Sequence, residues 1–401
     1  MSRIVFWSPN YSPEPTGIPP LVTDAAEWFA GRGHTVEVVT ALPNYPQRRI
    51  YPDYRGSVWR RERRGDVDVA RSWLWARRGE RFTDKVLYEL SFTALSLPNV
   101  VRRLRADTLV VVVPALSAAS VAGVLVRLRR RLPGTIRLVV WVQDLVLSAA
   151  LSLDAVGGLQ RRILRAAASL ERAALRAADA VVVCSPGFRD HALRRGVDPD
   201  RVHLVLNWVD LEWIVPKEIG PQERVTRFLY AGNIGYTQDF ESLITAVRTV
   251  RDGVQIEIVG DGNAADHVRT LAQGMSNVTV GPPVSRDAYP ALLTSADAHL
   301  VLQRRVSAGA NFPSKIATAL ASGRPLLAAI DRSTPAAEML EKSGGALVVP
   351  PESPSELAGA MRRLRDDRDL RAELGRRGRL YAERALGRGE RLQELERIVL
   401  R

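Results

Sequence analysis

One segment combines residue types suited to holding a diphosphate. It reads Asn311-Phe312-Pro313-Ser314-Lys315 and precedes a helical pattern over residues 316–322 that ends at Gly323. Proline is favoured in the first turn of a helix, where unpaired N–H groups attract anions. The Ser314 hydroxyl and the Lys315 ammonium add a hydrogen-bond donor and a positive charge. The segment predicts a diphosphate site, with a solvated helix start as the alternative.

Three more loops place glycine or carboxylate directly after an apolar run. Residues 8–20 form a proline-rich loop with Gly17 before a helix, which is also typical of a stiff turn. Gly232 and Asn233 follow a second run, and Gly260-Asp261-Gly262 follow a third. Glycine lets backbone approach a ligand. Asp261 is placed either to reach a ribose or base or to cap the next helix. No loop supplies Gly-x-Gly-x-x-Gly, which counts against a dehydrogenase.

The elements that must position these loops alternate between strand and helix patterns. In the first half, strands are predicted at residues 4–7, 36–40, 108–113, 137–142, 180–184 and 203–206, with helices at 21–32 and 159–178. In the second half, strands are predicted at 228–231, 255–259, 278–280, 298–301, 325–329 and 346–349, with helices at 242–250 and 316–322. This pattern predicts an α/β fold with two parallel sheets, whose strand ends face a common cleft.

The amino-acid composition limits the classes of protein to which the chain can belong. The 401 residues, 46% of them apolar, suffice for two domains. Cys184 is the only cysteine and follows an apolar run, so a buried thiol is expected and a disulfide framework is excluded. Residues 109–126 carry no charge, but Pro114 divides them into a buried strand and a helix rather than a membrane span. The start of the chain lacks the pattern of a secretory signal, so the expected location is the cytoplasm.

Charge is concentrated in the first half of the chain. Residues 1–207 hold 31 Lys and Arg against 19 Asp and Glu, whereas residues 208–401 hold 26 against 25. Residues 55–81 combine nine arginines with Trp59, Trp73 and Trp75. This mixture suits an anionic membrane surface, with a solvated arginine-rich face as the alternative. Nucleic acid is not an expected partner, because no DNA- or RNA-binding signature accompanies the charge.

The order of these loops resembles that of a known enzyme family. The matching segments, which span nearly the whole chain, are residues 31–36, 42–46, 141–145, 184–188, 207–210, 230–235, 260–262, 312–315 and 321–325. Together they resemble the retaining glycosyltransferases of family 4, in the branch related to colanic-acid and capsule biosynthesis. The resemblance implies a GT-B fold with two Rossmann-like domains facing a central cleft. The expected domains are residues 1–207 for the acceptor, residues 208–385 for the nucleotide-sugar, and residues 386–401 as a helix packing back across both.

The resemblance also implies roles for individual residues. The donor would be held by Gly232, Asn233, Asp261, Gly262, Asn311, Phe312, Pro313, Ser314 and Lys315. The catalytic set would be Gly17, Gln143, Asp144 and Lys315. In such enzymes the leaving β-phosphate helps to take the acceptor proton, and lysine stabilises its charge. No metal and no cofactor are expected, and Asp66-Val67-Asp68 is interpreted as surface.

The chain departs from the family pattern at several positions. Ala310 and Thr318 stand where two glutamates are usual, which leaves Glu338 as a candidate for a ribose or sugar contact or as a first-turn helix acid. Asn233 and Gln238 replace basic residues in the first phosphate loop. Gln143 replaces a histidine, and glutamine cannot transfer a proton near pH 7.

Three functions are therefore compatible with the sequence. The first is a retaining transferase that moves a sugar from a UDP-sugar, rather than a GDP-sugar, to a lipid-linked glycan at the inner face of the plasma membrane. The second is a soluble tailoring enzyme that glycosylates a natural product or nucleoside. The third is a non-catalytic nucleotide-sugar-binding subunit, which the residues Ala310 and Thr318 suggest.

Overall fold

Parallel strands and crossover helices fill both halves of the chain in the computed structural model, which describes residues 1–77, 82–131, 135–145, 158–217, 225–307 and 313–401. The chain divides into unit 1, Met1–Leu206 with Leu392–Arg401, and unit 2, Asn207–Arg391. The predicted boundary after residue 207 lies one residue from this division. The predicted third segment, residues 386–401, is shared between the two units.

Unit 1 contains a sheet with the strand order β3-β4-β2-β1-β5-β6-β7-β8. Its strands are β1 (Arg3–Trp7), β2 (Thr35–Ala41), β3 (Trp59–Arg64), β4 (Val67–Ser72), β5 (Thr108–Val113), β6 (Arg137–Val142), β7 (Ala180–Val183) and β8 (Val202–Leu204). Its described helices are α1 (Ile18–Gly31), α2 (Phe82–Val101), α3 (Leu116–Arg129), α4 (Gly158–Ala177) and α5 (Pro186–Arg194). Neighbouring strands are parallel except for the β3–β4 hairpin.

Unit 2 contains a sheet with the strand order β11-β10-β9-β12-β13-β14, in which all pairs are parallel. Its strands are β9 (Thr226–Ala231), β10 (Val254–Val259), β11 (Val278–Gly281), β12 (Ala298–Leu302), β13 (Leu326–Ala329) and β14 (Ala346–Val349). Its described helices are α6 (Phe240–Val250), α7 (Ala265–Leu271), α8 (Tyr289–Ser295), α9 (Lys315–Ala321), α10 (Pro335–Ser343), α11 (Pro354–Asp366) and α12 (Arg368–Ala385). A last helix, α13 (Arg388–Leu400), begins in unit 2 and continues into unit 1.

The strand order reverses beside β1 in unit 1 and beside β9 in unit 2. Each of these strands lies between two parallel neighbours and is followed by one of the predicted functional loops. Open α/β sheets bind ligands outside the carboxyl ends of the strands at such reversals. Each unit therefore presents its predicted loops at the place where its own topology favours a site.

The uncharged stretch over residues 109–126 forms a strand followed by a helix, which confirms the interpretation of its sequence. β5 is buried along its whole length, as expected for β-branched residues in the middle of a parallel sheet, and α3 begins after it. Within the described ranges, no helix is both long and apolar enough to cross a bilayer. The Cys184 thiol is buried after β7, as predicted, and burial raises its pKa.

The arginine-rich stretch forms elements that the sequence did not predict. It contains the β3–β4 hairpin, in which β3 is mostly exposed and β4 is mostly buried. Arg71 is 1% exposed, and its guanidinium donates to Glu62 Oε1 at 2.6 Å and to Ala41 O at 3.2 Å. Arg64 pairs with Glu27. Arg64 and Arg71 are thus paired within unit 1, and Trp59 is the exposed one of the three tryptophans, while contact of this stretch with an anionic membrane stays a prediction.

The end of α13 is anchored on unit 1. Val399 O accepts a hydrogen bond from the Thr108 hydroxyl at 3.0 Å. The Glu396 carboxylate accepts from Arg32 Nε at 2.8 Å and contacts His34 Nε2 at 3.1 Å, both near the carboxyl end of α1. The final residues of the chain thus complete unit 1.

Candidate active site

The loops after β9 and β10 in unit 2 interlock through their backbones. Ile234 N–H donates to Asp261 O at 2.9 Å. A Cβ at Gly260 would lie 1.8 Å from Gly232 O, and one at Gly262 would lie 2.3 Å from Ile234 O. Only glycine permits backbones to approach this closely. These two glycines therefore pack the loops against each other, which is a role distinct from the ligand approach predicted for them.

Lys315 lies beside these loops with its ammonium buried. Its Nζ is 3.4 Å from the centroid of the Tyr230 ring and has no hydrogen-bond partner among the described residues. The aliphatic stem is half-buried. Burial lowers the pKa of Lys315 to about 7. A buried ammonium without an acceptor is costly, and the ring face offsets only part of that cost. The position of this ammonium therefore suits an anion, whose oxygens would accept its hydrogen bonds.

Gly232 lies next to this ammonium at the end of β9. A Cβ at Gly232 would lie 3.3 Å from both Cε and Nζ of Lys315. The neighbouring Asn233 backbone oxygen accepts from the Tyr230 hydroxyl at 2.6 Å, which fixes the ring under the lysine. The structure thus brings together Gly232, Asn233 and Lys315, as the sequence predicted. It also adds Tyr230, whose role no sequence pattern indicated.

The helix after the predicted diphosphate segment does not include Pro313 in its first turn. α9 begins at Lys315, and Pro313 lies before it rather than in its first turn, with its carbonyl accepting from Ile316 N–H at 3.1 Å. Ser314 is exposed at the N-cap, and its hydroxyl makes no capping bond. Asn311 and Phe312 lie outside the described residues, as does Ala310.

Two further polar residues of the donor loops are engaged locally. Asp261 Oδ1 accepts from Gly262 N–H at 2.8 Å, and Ala264 at the N-cap of α7 offers no side-chain cap, so both interpretations of Asp261 stay predictions. Gln238 Oε1 accepts from Gly235 N–H at 2.9 Å and so supports the loop after β9. Gln238 thus holds the loop in shape, where a basic residue would have added charge.

Thr318, which stands where a glutamate is usual, and Glu338, the candidate to replace it, have different surroundings. Thr318 lies on α9, and its hydroxyl donates to Lys315 O at 3.0 Å. Glu338 is exposed in the first turn of α10 and accepts from Lys342 Nζ at 2.6 Å. Of the two interpretations of Glu338, the structure shows the first-turn helix acid, and a contact with the donor stays a prediction.

In unit 1, Gly17 lies next to Tyr45, and the charge of Asp144 acts on the same side chain. Gly17 has φ +82°, and a Cβ there would lie 3.4 Å from Tyr45 Cε1. Burial raises the pKa of Tyr45 to about 12, and the negative charge of Asp144 acts in the same direction. Burial raises the pKa of Asp144 itself to about 7, against the N–H of Leu145. The loops after β1 and β2 therefore meet at Tyr45, and the carboxylate that follows β6 acts on this tyrosine through its charge.

Gln143 ends β6 with its side chain buried. It is 5% exposed, and its Nε2 has no hydrogen-bond partner among the described residues. Its backbone N–H donates to Val113 O at 3.1 Å, which continues the β5–β6 ladder by one residue. An unpaired buried amide is rare, and it offers a hydrogen bond to a bound hydroxyl or carbonyl.

Glu14 is a buried acid that the sequence analysis did not single out. It is 4% exposed, in the loop after β1, and burial raises its pKa to about 7 although four N–H donors surround it. The only signal in the sequence was a carboxylate among prolines between an apolar strand and a helix. Acids with raised pKa values cluster at functional sites.

No metal site accompanies these loops in the part of the chain that the structure describes, where no three His, Cys, Asp or Glu side chains are grouped to hold an ion. Asp66 pairs with Arg63 at 3.4 Å at the turn of the β3–β4 hairpin, and Asp68 is exposed on β4. Both are surface residues, as predicted.

Comparison with known proteins identifies the family. A model described as glycosyl transferase 4-like domain matches residues 16–208, and one described as glycosyl transferases group 1 matches residues 225–367. The WcaI protein of Escherichia coli, named provisionally as a colanic acid biosynthesis glycosyl transferase, is 32% identical over 98% of this chain and 98% of its own.

Solved structures share the fold. Sucrose-phosphate synthase of Thermosynechococcus elongatus superposes with a TM-score of 0.72 at 17% identity, over 99% of this chain and 98% of that one. The HepE protein of Anabaena, solved in complex with UDP, gives 0.68 at 18% identity, over 98% of each chain. At 17% and 18% sequence identity, the structural similarity shows only that the fold is shared. With the two matching models and the full-length relative, it follows that the chain belongs to the family 4-like glycosyltransferases of GT-B fold.

Proposed function

We propose that this glycosyltransferase moves a sugar from a UDP-sugar to a hydroxyl of a lipid-linked glycan, with retention of the anomeric configuration. The buried, unpartnered ammonium of Lys315 at the end of β9 is the observation that carries the proposal. A diphosphate supplies the acceptors that this ammonium lacks, together with the charge that stabilises its protonated form. Support for uridine comes from the structurally similar HepE protein, which binds UDP.

In the proposed reaction, unit 2 holds the donor and unit 1 holds the acceptor. The acceptor oxygen forms a bond to the anomeric carbon as the bond from that carbon to the β-phosphate oxygen breaks. The electron pair of the broken bond stays on the phosphate, which takes the acceptor proton on the same face. Lys315 stabilises the charge that develops on the leaving oxygen.

Unit 1 supplies polar groups for the acceptor and the transferred sugar. Asp144 is proposed to accept a hydrogen bond from a sugar hydroxyl, and Gln143 Nε2 to donate one. Gly17 is proposed to leave room beside Tyr45 for the reacting groups. No metal takes part in the proposed reaction, so activity is expected to persist in EDTA, and complete loss there would contradict this part.

The lipid-linked acceptor is favoured by an exposed surface on two helices of unit 1. Val124 and Leu128 on α3, with Ile163 and Leu170 on α4, are all more than 40% exposed. Exposed arginines flank them on both helices, including Arg127 and Arg172. Apolar side chains among arginines suit an anionic membrane surface. The similarity to WcaI, whose name refers to colanic acid, is consistent with a glycan acceptor.

A vesicle experiment separates this acceptor from the soluble natural product. Wild-type protein is expected to float with anionic vesicles and to be released by salt. Leu128→Glu should reduce binding, whereas Val284→Glu, an exposed apolar position in unit 2, should not. No binding to anionic vesicles would favour the soluble tailoring enzyme, and equal binding to neutral vesicles would contradict the role of the arginines.

The transferase function itself is tested by a panel of nucleoside diphosphates and their sugars. A ligand that binds only the folded state raises the melting temperature. We expect stabilisation by UDP above that by GDP, and release of UDP from one UDP-sugar when an alkyl glycoside is added. Absence of stabilisation by every nucleotide would refute the donor site. Stabilisation without release of nucleotide in any cell extract would favour the non-catalytic subunit.

A further inference from the structure

We infer that Glu14 is a positioning residue for the acceptor side of the site. Its carboxylate joins the loop after β1 to the loop after β2 and so sets the approach of Gly17 to Tyr45. The inference rests on the proposed function, because it assigns the acceptor to unit 1. It adds a residue that is expected to control acceptor use without touching the donor.

The two carboxylate oxygens of Glu14 bind different loops. Oε1 accepts the backbone N–H groups of Asn44 and Tyr45, both at 2.8 Å. Oε2 accepts from Asn10 Nδ2 at 3.0 Å and from Tyr11 N–H at 3.3 Å. An ionised carboxylate accepts at both oxygens and donates at neither, so it alone satisfies all four donors. A neutral amide would face two N–H donors with its own NH2 group.

Tyr45 is held on both sides of its backbone. Its N–H donates to Glu14, and its carbonyl accepts from the Tyr51 hydroxyl at 2.7 Å. The ring fixed in this way is the one that meets Gly17 and lies near Asp144. Moving the backbone of Tyr45 would therefore displace the ring at which the predicted acceptor-side residues converge.

The same loop has a second anchor away from Tyr45. Ser12 N–H donates to the Thr23 hydroxyl at 3.0 Å, and Ser12 O accepts from the buried guanidinium of Arg71. These bonds keep the loop on α1 and β4 when Glu14 is changed. Burying the Glu14 carboxylate costs free energy. Because the bonds of Ser12 already hold the loop, the loop does not need this carboxylate to stay in place. What Glu14 adds is the connection to Tyr45.

Glu14→Gln tests the inference through kinetics. With the UDP-sugar and the alkyl glycoside that give the fastest UDP release, we expect the acceptor KM to rise or kcat to fall, with at least a tenfold loss in kcat/KM for acceptor. The KM for the UDP-sugar and the stabilisation by UDP should stay unchanged. Glu37→Gln is the matched control, since Glu37 is a buried acid of unit 1 paired with Arg3 and Arg103, and it should change neither constant.

Hydrogen exchange measures the connection itself, independently of activity. Peptides covering residues 42–47 should exchange faster in Glu14→Gln than in wild type, while β1 stays protected. Tyr51→Phe, which removes the other bond to Tyr45, serves where Glu14→Gln does not fold and should shift both readouts in the same direction.

The outcomes separate this inference from the function it rests on. Faster exchange with unchanged acceptor kinetics would overturn the positioning role and leave the transferase intact. Loss of UDP stabilisation together with activity would show a general folding role and would also overturn it. If wild type transfers to no alkyl glycoside, the proposed acceptor class fails, and the connection of Glu14 to Tyr45 then stands or falls on the exchange result.

Discussion

The reversal points of the two sheets occupy equivalent positions but carry opposite chemistry. After β1 and β6, unit 1 holds two acids, the buried Glu14 and the half-buried Asp144, and the pKa of each is raised to about 7. Next to β9, unit 2 buries one lysine, and the pKa of Lys315 is lowered to about 7. In both cases burial disfavours the charged form of the side chain. Because Lys315 can take up a proton and become positive, the region in unit 2 suits an anion. The region in unit 1 contains acids, a tyrosine and an amide, and it suits hydroxyl groups.

The loops that form the two regions are also held differently. In unit 2 the backbones of two loops touch, and glycine makes this contact possible at Gly260 and Gly262. In unit 1 the loops meet through side chains, and Glu14 and Arg71 bridge them. Loops whose backbones touch leave no room for an added side-chain atom. Loops that are joined by side chains can shift to accept one. The comparison therefore predicts that unit 2 resists substitution at its loops more strongly than unit 1.

The largest expected effect comes from matched glycine substitutions. Gly260→Ala places a Cβ 1.8 Å from a backbone oxygen, so we expect a loss of at least about 3 kcal/mol in the free energy of unfolding. Gly17→Ala meets only the edge of Tyr45 and should cost about 1–2 kcal/mol for its positive φ. Urea denaturation measures both. Equal losses would contradict the distinction between contacting and bridged loops.

Next in size is the loss of the buried cation. Lys315→Met should weaken UDP binding and lower turnover at least about tenfold, or about 1.4 kcal/mol of transition-state stabilisation. Isothermal titration and UDP release measure the two effects. Lys217→Met is the control, because Lys217 is an exposed lysine of the same unit. Unchanged binding and kinetics in Lys315→Met would remove the basis for assigning the donor to unit 2.

A smaller effect is expected from pH, through the same lysine. The free protein holds Lys315 with a pKa of about 7, below the usual 10.5, and a bound diphosphate favours the protonated form. Above pH 7, binding must therefore take up a proton, and affinity should fall by up to about tenfold per pH unit. The phosphates are already ionised in this range. Affinity in Lys315→Met should be independent of pH between 7 and 9, and a slope equal to wild type there would assign the proton to another group.

Sequence patterns predicted the two sheets because the central strands are short, mostly apolar runs separated by helical patterns. β5, β6 and β14 have the bounds expected from the sequence. The β3–β4 hairpin was missed because β3 is rich in arginine and exposed, so it lacks the alternation that identifies a strand. Arg71 points into the core, where it pairs with Glu62 on the other strand of the hairpin. No local sequence pattern indicates this pairing.

The site was predictable in its loops but not in its electrostatics. Motif order located Gly17, Asp144, Gly232 and Lys315, since each follows a strand. The environment of Glu14 depends on N–H groups some thirty positions along the chain, and that of Lys315 depends on Tyr230. Burial of a charge is a property of packing between distant segments, and residue type alone does not encode it.

The smallest expected effect concerns Glu338, the acid that could take the place of the missing glutamates on the donor side. Glu338 is exposed and paired with Lys342 four residues on, and such surface pairs contribute little. Glu338→Gln should therefore change the KM for the UDP-sugar by less than about twofold, in line with the weak energetics of exposed pairs. Glu341→Gln, on the same helix and paired with Arg332, is the matched control. A tenfold rise in donor KM confined to Glu338→Gln would add a carboxylate to the donor site of unit 2, and the contrast between an acidic acceptor region and a cationic donor region would no longer hold.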